Sequence, residues 1–346
     1  MRNGENIVRD KLVEVSKSSH RVIIPVYIPN EEGYYKDAYK VFEICVSSIL
    51  KTSNSPVKIS IISNGSSDAI NTKIASFCNT NAIDELIITT SKIGKINSIL
   101  KCLRHSKERL ITITDADVLF LNNWEQAIVD VFNAFPKAGM VSPVPMYRTQ
   151  LRLTSNIWLR YFFSNTLKFR PVKNPEALER FAKSVGWPNL SNKMKDVALT
   201  LKSKSNIIAY VGNSHFVGTY KNEVFKQLPK EDSLYKLGGN SEFLYLDEPV
   251  LKVGGYRLAT YNNYAYHLGN KLEDWAEETF KTLEDSKKEY NDYDIIPKLS
   301  SSSISYFISE KIFKKLFYIK SFKRFAYKRK GLNKEQLHNF TNSDFL

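Results

Sequence analysis

Between residues 21 and 114 the chain alternates four short β-rich runs with three amphipathic helical patterns, and that order leaves few folds open. The runs cover residues 22–27, 57–63, 85–89 and 109–114. After the first, Ala38, Val41, Phe42, Cys45, Val46, Ile49 and Leu50 recur at three- and four-residue spacing, which makes one buried helical stripe. The second ends at Asn64-Gly65-Ser66-Ser67-Asp68, a turn and cap ahead of a helix carrying Ile70, Ile74, Phe77 and Cys78. The third precedes a helix with Ile96, Ile99, Leu100 and Leu103, and the fourth delivers Asp115. Such a β-α-β-α-β-α-β order predicts an α/β fold with a mostly parallel central sheet covered on both faces. Ligands bind outside the carboxyl ends of strands in open sheets of this kind, so Tyr27, Asn64 and Asp115 are expected to cluster at one edge.

The pattern then loosens. A helix over 124–135 and a strand near 140–144 lead into an irregular stretch, 148–205, whose one clear helix, 175–185, has Pro175 at its start. A β-rich run at 207–211 opens a second short section ending near Gly269, followed by a charged helix over 273–290, a Ser-rich spacer at 300–303 and a basic tail. This divides the chain into an N-terminal extension, 1–20, a ligand-binding half, 21–147, a second half, 148–270, and a helical, basic C-terminal extension, 271–346. With 346 residues the chain is long enough to bury a full core, and 42% hydrophobic and 25% charged residues exclude collagenous, disordered and multi-span membrane classes. Cys45, Cys78 and Cys102 lie far apart without a C-x-x-C pair, as core residues in a reducing compartment would. No signal-peptide-like run appears in residues 1–17 and no stretch approaches the roughly 20 apolar residues that span a bilayer. The expected location is the cytoplasm, or the inner face of a membrane without crossing it.

The residues with the most chemistry are Asp115, Ala116 and Asp117. Two carboxylates one residue apart at a strand end offer one oxygen set to a divalent cation and the other to a ribose hydroxyl or metal-bound water. A solvated turn is the plain alternative. Their place at the end of the fourth strand favours the site reading. Asn64 and Ser66 carry short polar groups suited to a base or ribose, or to capping the next helix. Lys95 suits a phosphate, or water on an exposed first turn.

Four segments carry a resemblance. Ile24-Pro25-Val26-Tyr27, Asn64-Gly65-Ser66-Ser67-Asp68, Ile93-Gly94-Lys95-Ile96-Asn97 and Asp115-Ala116-Asp117 together resemble the nucleotide-diphospho-sugar transferases of the A-type fold, especially family-2 glycosyltransferases, over about residues 21–270. Asn64 stands where that family usually has Asp. The resemblance implies a Rossmann-like GT-A fold and a nucleotide-sugar-binding half at 21–147. It further implies donor contacts from Pro25, Tyr27, Asn64, Ser66, Gly94, Lys95, Asp115 and Ala116. Tyr210-Val211-Gly212-Asn213-Ser214-His215 is similar to the segment beside the donor sugar, which adds Gly212, Asn213 and His215. Tyr245-Leu246-Asp247-Glu248-Pro249, ahead of Gly255-Tyr256-Arg257-Leu258, looks like the acidic motif that supplies a catalytic base. Asp247 and Glu248 both stay candidates, and capping of the following helix is their structural alternative. His267 in Tyr266-His267-Leu268-Gly269-Asn270 resembles the histidine that joins Asp117 on Mn2+ or Mg2+.

The implied activity is metal-dependent, inverting transfer of a hexosyl or N-acetylhexosaminyl group from a UDP-sugar to a glycan or lipid-linked oligosaccharide, in bacterial surface polysaccharide synthesis. Two alternatives stay open, a nucleotide-sugar-binding or membrane-scaffold protein without catalysis and a sugar nucleotidyltransferase. The acidic Pro29-Asn30-Glu31-Glu32-Gly33 segment is ill suited to the triphosphate of the latter.

The net charge, +14, is concentrated. Between residues 306 and 330 nine Lys or Arg face one acid, Glu310. Ile308, Ile312, Leu316 and Ile319 recur at helical spacing, with Phe313, Phe317, Phe322 and Phe325 interleaved. A helix basic on one side and aromatic on the other suits an anionic membrane surface. The alternative is that the aromatic stripe packs on the protein and the lysines face water. No zinc-ligand spacing, helix-turn-helix or aromatic nucleic-acid motif supports a nucleic-acid partner.

Overall fold

The computed structural model describes residues 11–12, 18–147, 149–187, 196–299 and 303–341. Most of the N-terminal extension and of the Ser-rich spacer lies outside them. Strands β1 (His20–Val26), β2 (Lys58–Asn64), β3 (Glu85–Thr89) and β4 (Leu110–Thr114) pair in parallel in the order β3-β2-β1-β4. Helices α1 (Ala38–Thr52), α2 (Asp68–Thr80) and α3 (Lys95–Leu103) connect them, and α4 (Trp124–Ala134) follows. β1, β2 and β4 are buried almost throughout, which is why they read as near-continuous apolar runs.

The sheet does not stop at residue 147. It grows to ten strands, the remaining six in the order β10-β6-β11-β9-β8-β7 beyond β4. These are β6 (Ala138–Ser142), β7 (Leu167–Pro171), β8 (Val197–Lys202), β9 (Ile208–Val211), β10 (Val217–Lys221) and β11 (Tyr256–Thr260). Only β7, β9 and β10 run against the others, so the sheet is mostly parallel in direction. β10 is the decisive insertion. It lies antiparallel between β4 and β6, fully buried, with the Thr219 and Thr112 hydroxyls 2.6 Å apart across the pair. Because it runs backwards, its amino end meets the carboxyl end of β4, and the Asp115 N–H donates to the Phe216 carbonyl at 2.7 Å. A second reversal places β12 (Ala265–His267) antiparallel to β5 (Val118–Phe120), with His267 opposite Val118.

Two helical expectations change. The charged helix expected over 273–290 spans only Asp274–Lys281. Beyond it the Ser286 and Glu289 N–H groups donate to the carbonyls of Lys51 and Asn54 at the end of α1, and that tertiary pairing replaces further helical turns. The basic tail is not one amphipathic helix either. Residues 303–318 form a run of uneven helical turns, Ile319 is extended, and a helix follows at Lys320–Arg329.

Nor does the tail divide cleanly into a basic and an aromatic side. Phe317 is buried against Trp158, with ring centroids 5.0 Å apart, and Phe322 stacks on Phe162 at 5.6 Å. Both partners belong to or adjoin helix α5 (Ser155–Tyr161). Lys323 and Lys330 are buried. The Lys330 ammonium donates to the carbonyls of Tyr161 and Ser164 at 2.7 and 2.8 Å, closing the end of α5, and burial lowers its pKa to about 8. Tyr327, Leu332, Leu337 and Phe340 complete the main core, so the extension is part of the folded body.

Candidate active site

A cavity of about 310 Å³ opens where the carboxyl ends of β1, β2 and β4 meet. Pro25, Tyr27, Asn64, Lys95, Asp115, Ala116 and Asp117 all line it. The expected cluster of Tyr27, Asn64 and Asp115 is therefore one wall. Asn64 is nearly buried, and its Oδ1 accepts from the N–H groups of Ile93 and Gly94 at 2.8 and 3.2 Å. Two backbone donors fix the amide orientation, so the free amide nitrogen is the group Asn64 has left for the cavity.

Lys95 reaches across to Asp115, Nζ to Oδ1 at 2.5 Å. Burial alone would lower the Lys95 ammonium, but Asp115, Glu242 and Asp117 outweigh it and hold it above its usual value. Ser66 is not on the cavity wall. Its hydroxyl accepts from the Ile28 N–H at 3.0 Å and ties the end of β1 to the turn after β2. Gly94, at φ +98°, lies under another segment, where a Cβ would come within 2.7 Å of the Lys236 Cα. There the Lys95 N–H donates to the Lys236 carbonyl at 3.0 Å. Lys92, Tyr35 and Lys236 also line the cavity and were not singled out in the sequence. Lys92 sits 3.7 Å over the Tyr27 ring.

A second cavity of about 380 Å³ lies among the segments around Thr149, Phe181, Asn213, Asp247 and His267. Asn213, His215, Asp247 and His267 line it, with Thr149, Arg152, Arg257 and an aromatic wall that includes Phe181, Trp187 and Phe216. Gly212 explains the close approach here. It has φ +89°, and a Cβ on it would fall 2.4 Å from the Thr149 carbonyl oxygen. Asp247 is buried. One carboxylate oxygen accepts from Arg257 at 2.8 Å, and the other lies 3.3 Å from His215 Nδ1. Burial alone would raise this carboxyl, but the Arg257 guanidinium and His215 outweigh it and hold it below the usual carboxylate range.

Glu248 faces elsewhere. It accepts from the Tyr306 hydroxyl of the tail and pairs with Lys252, each at 2.8 Å. Arg257 stood inside a motif readable in the sequence, but its role as the counterion of Asp247 depends on β11 lying beside β9, which no spacing displays.

The two cavities meet at Asp117 and His267. His267 Nε2 lies 3.4 Å from Asp117 Oδ2, while its Nδ1 is 2.9 Å from the Ser184 hydroxyl. The serine orients the ring toward the carboxylate. Asp117 Oδ1 is buried without a hydrogen-bond partner. Among the described residues no three His, Cys, Asp or Glu side chains gather as a metal cage. A divalent cation here would take Asp117 and His267 as protein ligands and the rest from phosphates and water, the usual arrangement for Mg2+ and a familiar one for Mn2+.

Residues 22–183 match the family model described as glycosyl transferase family 2. No curated protein matches the chain in sequence. Among solved structures, it is similar to a mannosyltransferase, PcManGT from Pyrobaculum calidifontis, in complex with GDP-Man and Mn2+. The identity is 14%, the match covers 90% of this chain and 72% of that one, and the TM-score is 0.43. S. aureus TarS 1-349 shares 11% identity over 72% of this chain and 60% of its own, with a TM-score of 0.41. GalNAc-T7 with UDP, GalNAc and Mn2+ shares 13% over 94% of this chain and 54% of its own, with a TM-score of 0.46. The chain thus spans between about half and three quarters of the length of these proteins.

Proposed function

We propose that this chain, a glycosyltransferase whose family 2 domain spans residues 22–183, moves a hexosyl or N-acetylhexosaminyl group from a UDP-sugar to a glycan or lipid-linked oligosaccharide, with inversion. The observation that carries this reading is the 3.4 Å approach of His267 to Asp117, which sets a cavity lined by strand ends beside a second cavity holding a buried, ion-paired carboxylate. The base and ribose fit the first cavity, against Pro25, Tyr27 and the free amide nitrogen of Asn64, which suits a pyrimidine carbonyl. Gly94 and Ser66 stand behind its lining and hold the segments that carry Lys236 and Ile28 in place. The diphosphate belongs where the two cavities adjoin, beside Lys95 and Asp115. The sugar then extends past Gly212 and Asn213 into the second cavity, where Phe181, Trp187 and Phe216 offer apolar faces to a glycan.

When bound by Asp117 and His267, Mn2+ or Mg2+ would supply Lewis-acid stabilisation of the departing diphosphate. The chain's own residues handle the proton. The acceptor hydroxyl oxygen bonds to the anomeric carbon as the bond from that carbon to the diphosphate oxygen breaks, and the hydroxyl proton passes to Asp247. Arg257 keeps that carboxylate ionised and ready, at the expense of its basicity. A second reading follows from the 3.3 Å contact between Asp247 and His215 Nδ1: Asp247 orients the imidazole and Nε2 takes the proton. Under either reading Glu248, turned toward the tail, has no direct part in the transfer. Arg152, exposed on the acceptor side, suits a phosphate-bearing acceptor such as a lipid-linked oligosaccharide at the inner face of a bacterial membrane.

The test uses Asp117→Asn with Mn2+ and a panel of nucleotide sugars. The variant is expected to melt like the wild type, to lose Mn2+-dependent stabilisation by UDP, and to lose turnover. Full turnover under chelation would overturn the metal assignment. Retention of anomeric configuration, read by NMR of the product, would remove Asp247 and His215 from the role of base. Absence of turnover with every donor that stabilises the protein would favour a binding protein.

A further inference from the structure

Helix α5 and the C-terminal segment leave an apolar surface in water that neither could form alone. Along residues 304–319 the exposed aliphatic and phenyl side chains are Ile304, Phe307, Ile308, Ile312, Leu316 and Ile319, of which Ile304, Ile308, Ile312, Leu316 and Ile319 recur three or four apart. The inward residues Ser309 and Phe317 are buried, Phe317 against Trp158 of α5. From the other chain segment, Phe163 stands 81% exposed just past the end of α5. Its neighbour Phe162 bridges it to Phe325 of the tail, which is 54% exposed, with ring centroids 5.2 and 6.1 Å away. The Arg329 guanidinium lies 5.0 Å over the Phe163 ring. Exposed apolar side chains gathered in this number mark an interaction surface.

The charge around this surface chooses the partner. Lys311, Lys315, Lys320, Arg324, Lys328 and Arg329 are exposed on the same segment, in a chain carrying +14 overall. A second copy would bring like charge against like charge. Aliphatic and phenyl groups ringed by lysines and arginines instead match the headgroup and upper acyl region of an anionic bilayer, which buries the first and neutralises the second.

We propose that α5 and the C-terminal segment form one composite face that docks on an anionic bilayer, and that α5 holds the acceptor cavity beside it. Arg152 and Thr149 of that cavity lie just ahead of α5, and Leu159 and Phe163 emerge at its far end. Seven helical residues span about 10 Å. A phosphate-bearing headgroup at the bilayer surface is thereby within reach of the cavity rim. The acceptor part of this inference rests on the proposed transfer reaction, whereas the docking itself does not.

Deleting the tail is no test, because Phe317, Tyr327 and Phe340 belong to the core. The experiment is flotation of the full chain with phosphatidylcholine vesicles, with and without phosphatidylglycerol, at low and high salt. Wild type is expected to float with the anionic vesicles and to be released by salt. The triple substitution of Lys311, Lys315 and Lys320 by Gln is expected to weaken binding about a hundredfold. Phe163→Glu, which leaves the basic tail intact, is expected to weaken it at least about tenfold, the effect of withdrawing a buried phenyl group. Melting temperature and UDP-dependent stabilisation should stay unchanged in both variants.

Undiminished binding by Phe163→Glu would overturn the composite face and leave the tail as a separate anchor. Equal binding to neutral vesicles, or no binding by wild type, would overturn the anionic bilayer as partner. A wild-type dimer in analytical ultracentrifugation that Phe163→Glu dissolves would make the face a self-association surface instead. Because UDP-dependent stabilisation is read on the same samples, failure of docking and failure of the donor reading appear separately.

Discussion

The two cavities sit on one sheet but are built differently. The first draws most of its walls from the ends of β1, β2 and β4 and the turns and helix that follow them, with only Lys236, Leu237 and Asn270 arriving from the second half of the chain. The second takes Thr149, Asn213, Asp247, Arg257 and His267 from segments more than a hundred residues apart at the extremes. They are brought together by two antiparallel strands and by the tail packed on α5. The contrast shows a donor side that is mostly locally specified and an acceptor side whose lining is assembled entirely from distant segments.

Catalysis gives the sharpest break between them. Asp247→Asn is expected to lower kcat about a thousandfold, with donor affinity in the first cavity unchanged, whereas Glu248→Gln should stay within about tenfold of wild type. Steady-state kinetics with varied donor checks this, and equal losses from the two substitutions would erase the distinction drawn between the carboxylates. Removing the tail's packing should be felt next. Phe317→Ala is expected to cost about 3 kcal/mol in urea unfolding, and a single unfolding transition would show that both cavities share one cooperative core.

Acidification tests the donor side, at the opposite end of its strands. Burial alone would raise the Glu108 carboxyl, but Arg21 and Lys58 hold it at about 2 against an ordinary 4.5. The folded value is the lower one. Its contribution is therefore full above pH 4.5 and disappears as pH falls toward 2. The stability gap between wild type and Glu108→Gln, on the order of 2 kcal/mol near neutral pH, should close over that window in denaturant titrations. The smallest effect belongs to the link between tail and acidic motif: Tyr306→Phe removes one hydrogen bond to Glu248 and should cost about 1 kcal/mol or less. A larger loss in kcat than in stability would show that the tail positions the motif as well as packing beside it.

The sequence was most informative where structure is local. The runs around β1 to β4 and the helix at 175–185 could be read from periodicity and cap residues, because each depends on side chains within a few positions. The helix expected to 290 ended at Lys281 because backbone groups of the following stretch pair with the end of α1, a competition invisible to spacing. The tail misled in an instructive way. Its phenylalanines and aliphatic residues alternate on one helical wheel, yet Phe317 and Phe322 turn to Trp158 and Phe162 while Ile312 and Ile319 turn to water. Hydrophobicity in the sequence could not say which set would find a partner.

By itself, then, the sequence determined the β-α order, the edge at which Tyr27, Asn64 and Asp115 gather, and the carboxylate pair of the Asp-Ala-Asp turn. All of these follow from nearest neighbours along the chain and from the fixed direction of parallel strands. Only the tertiary structure decided that His267 faces Asp117, that Asp247 is locked by Arg257 while Glu248 turns to Tyr306, and that α5 shares an exposed apolar surface with the tail. The physical reason is strand insertion and packing at long range. β10 and β12 run backwards, so they deliver their flanking residues to an edge that their own sequence does not name.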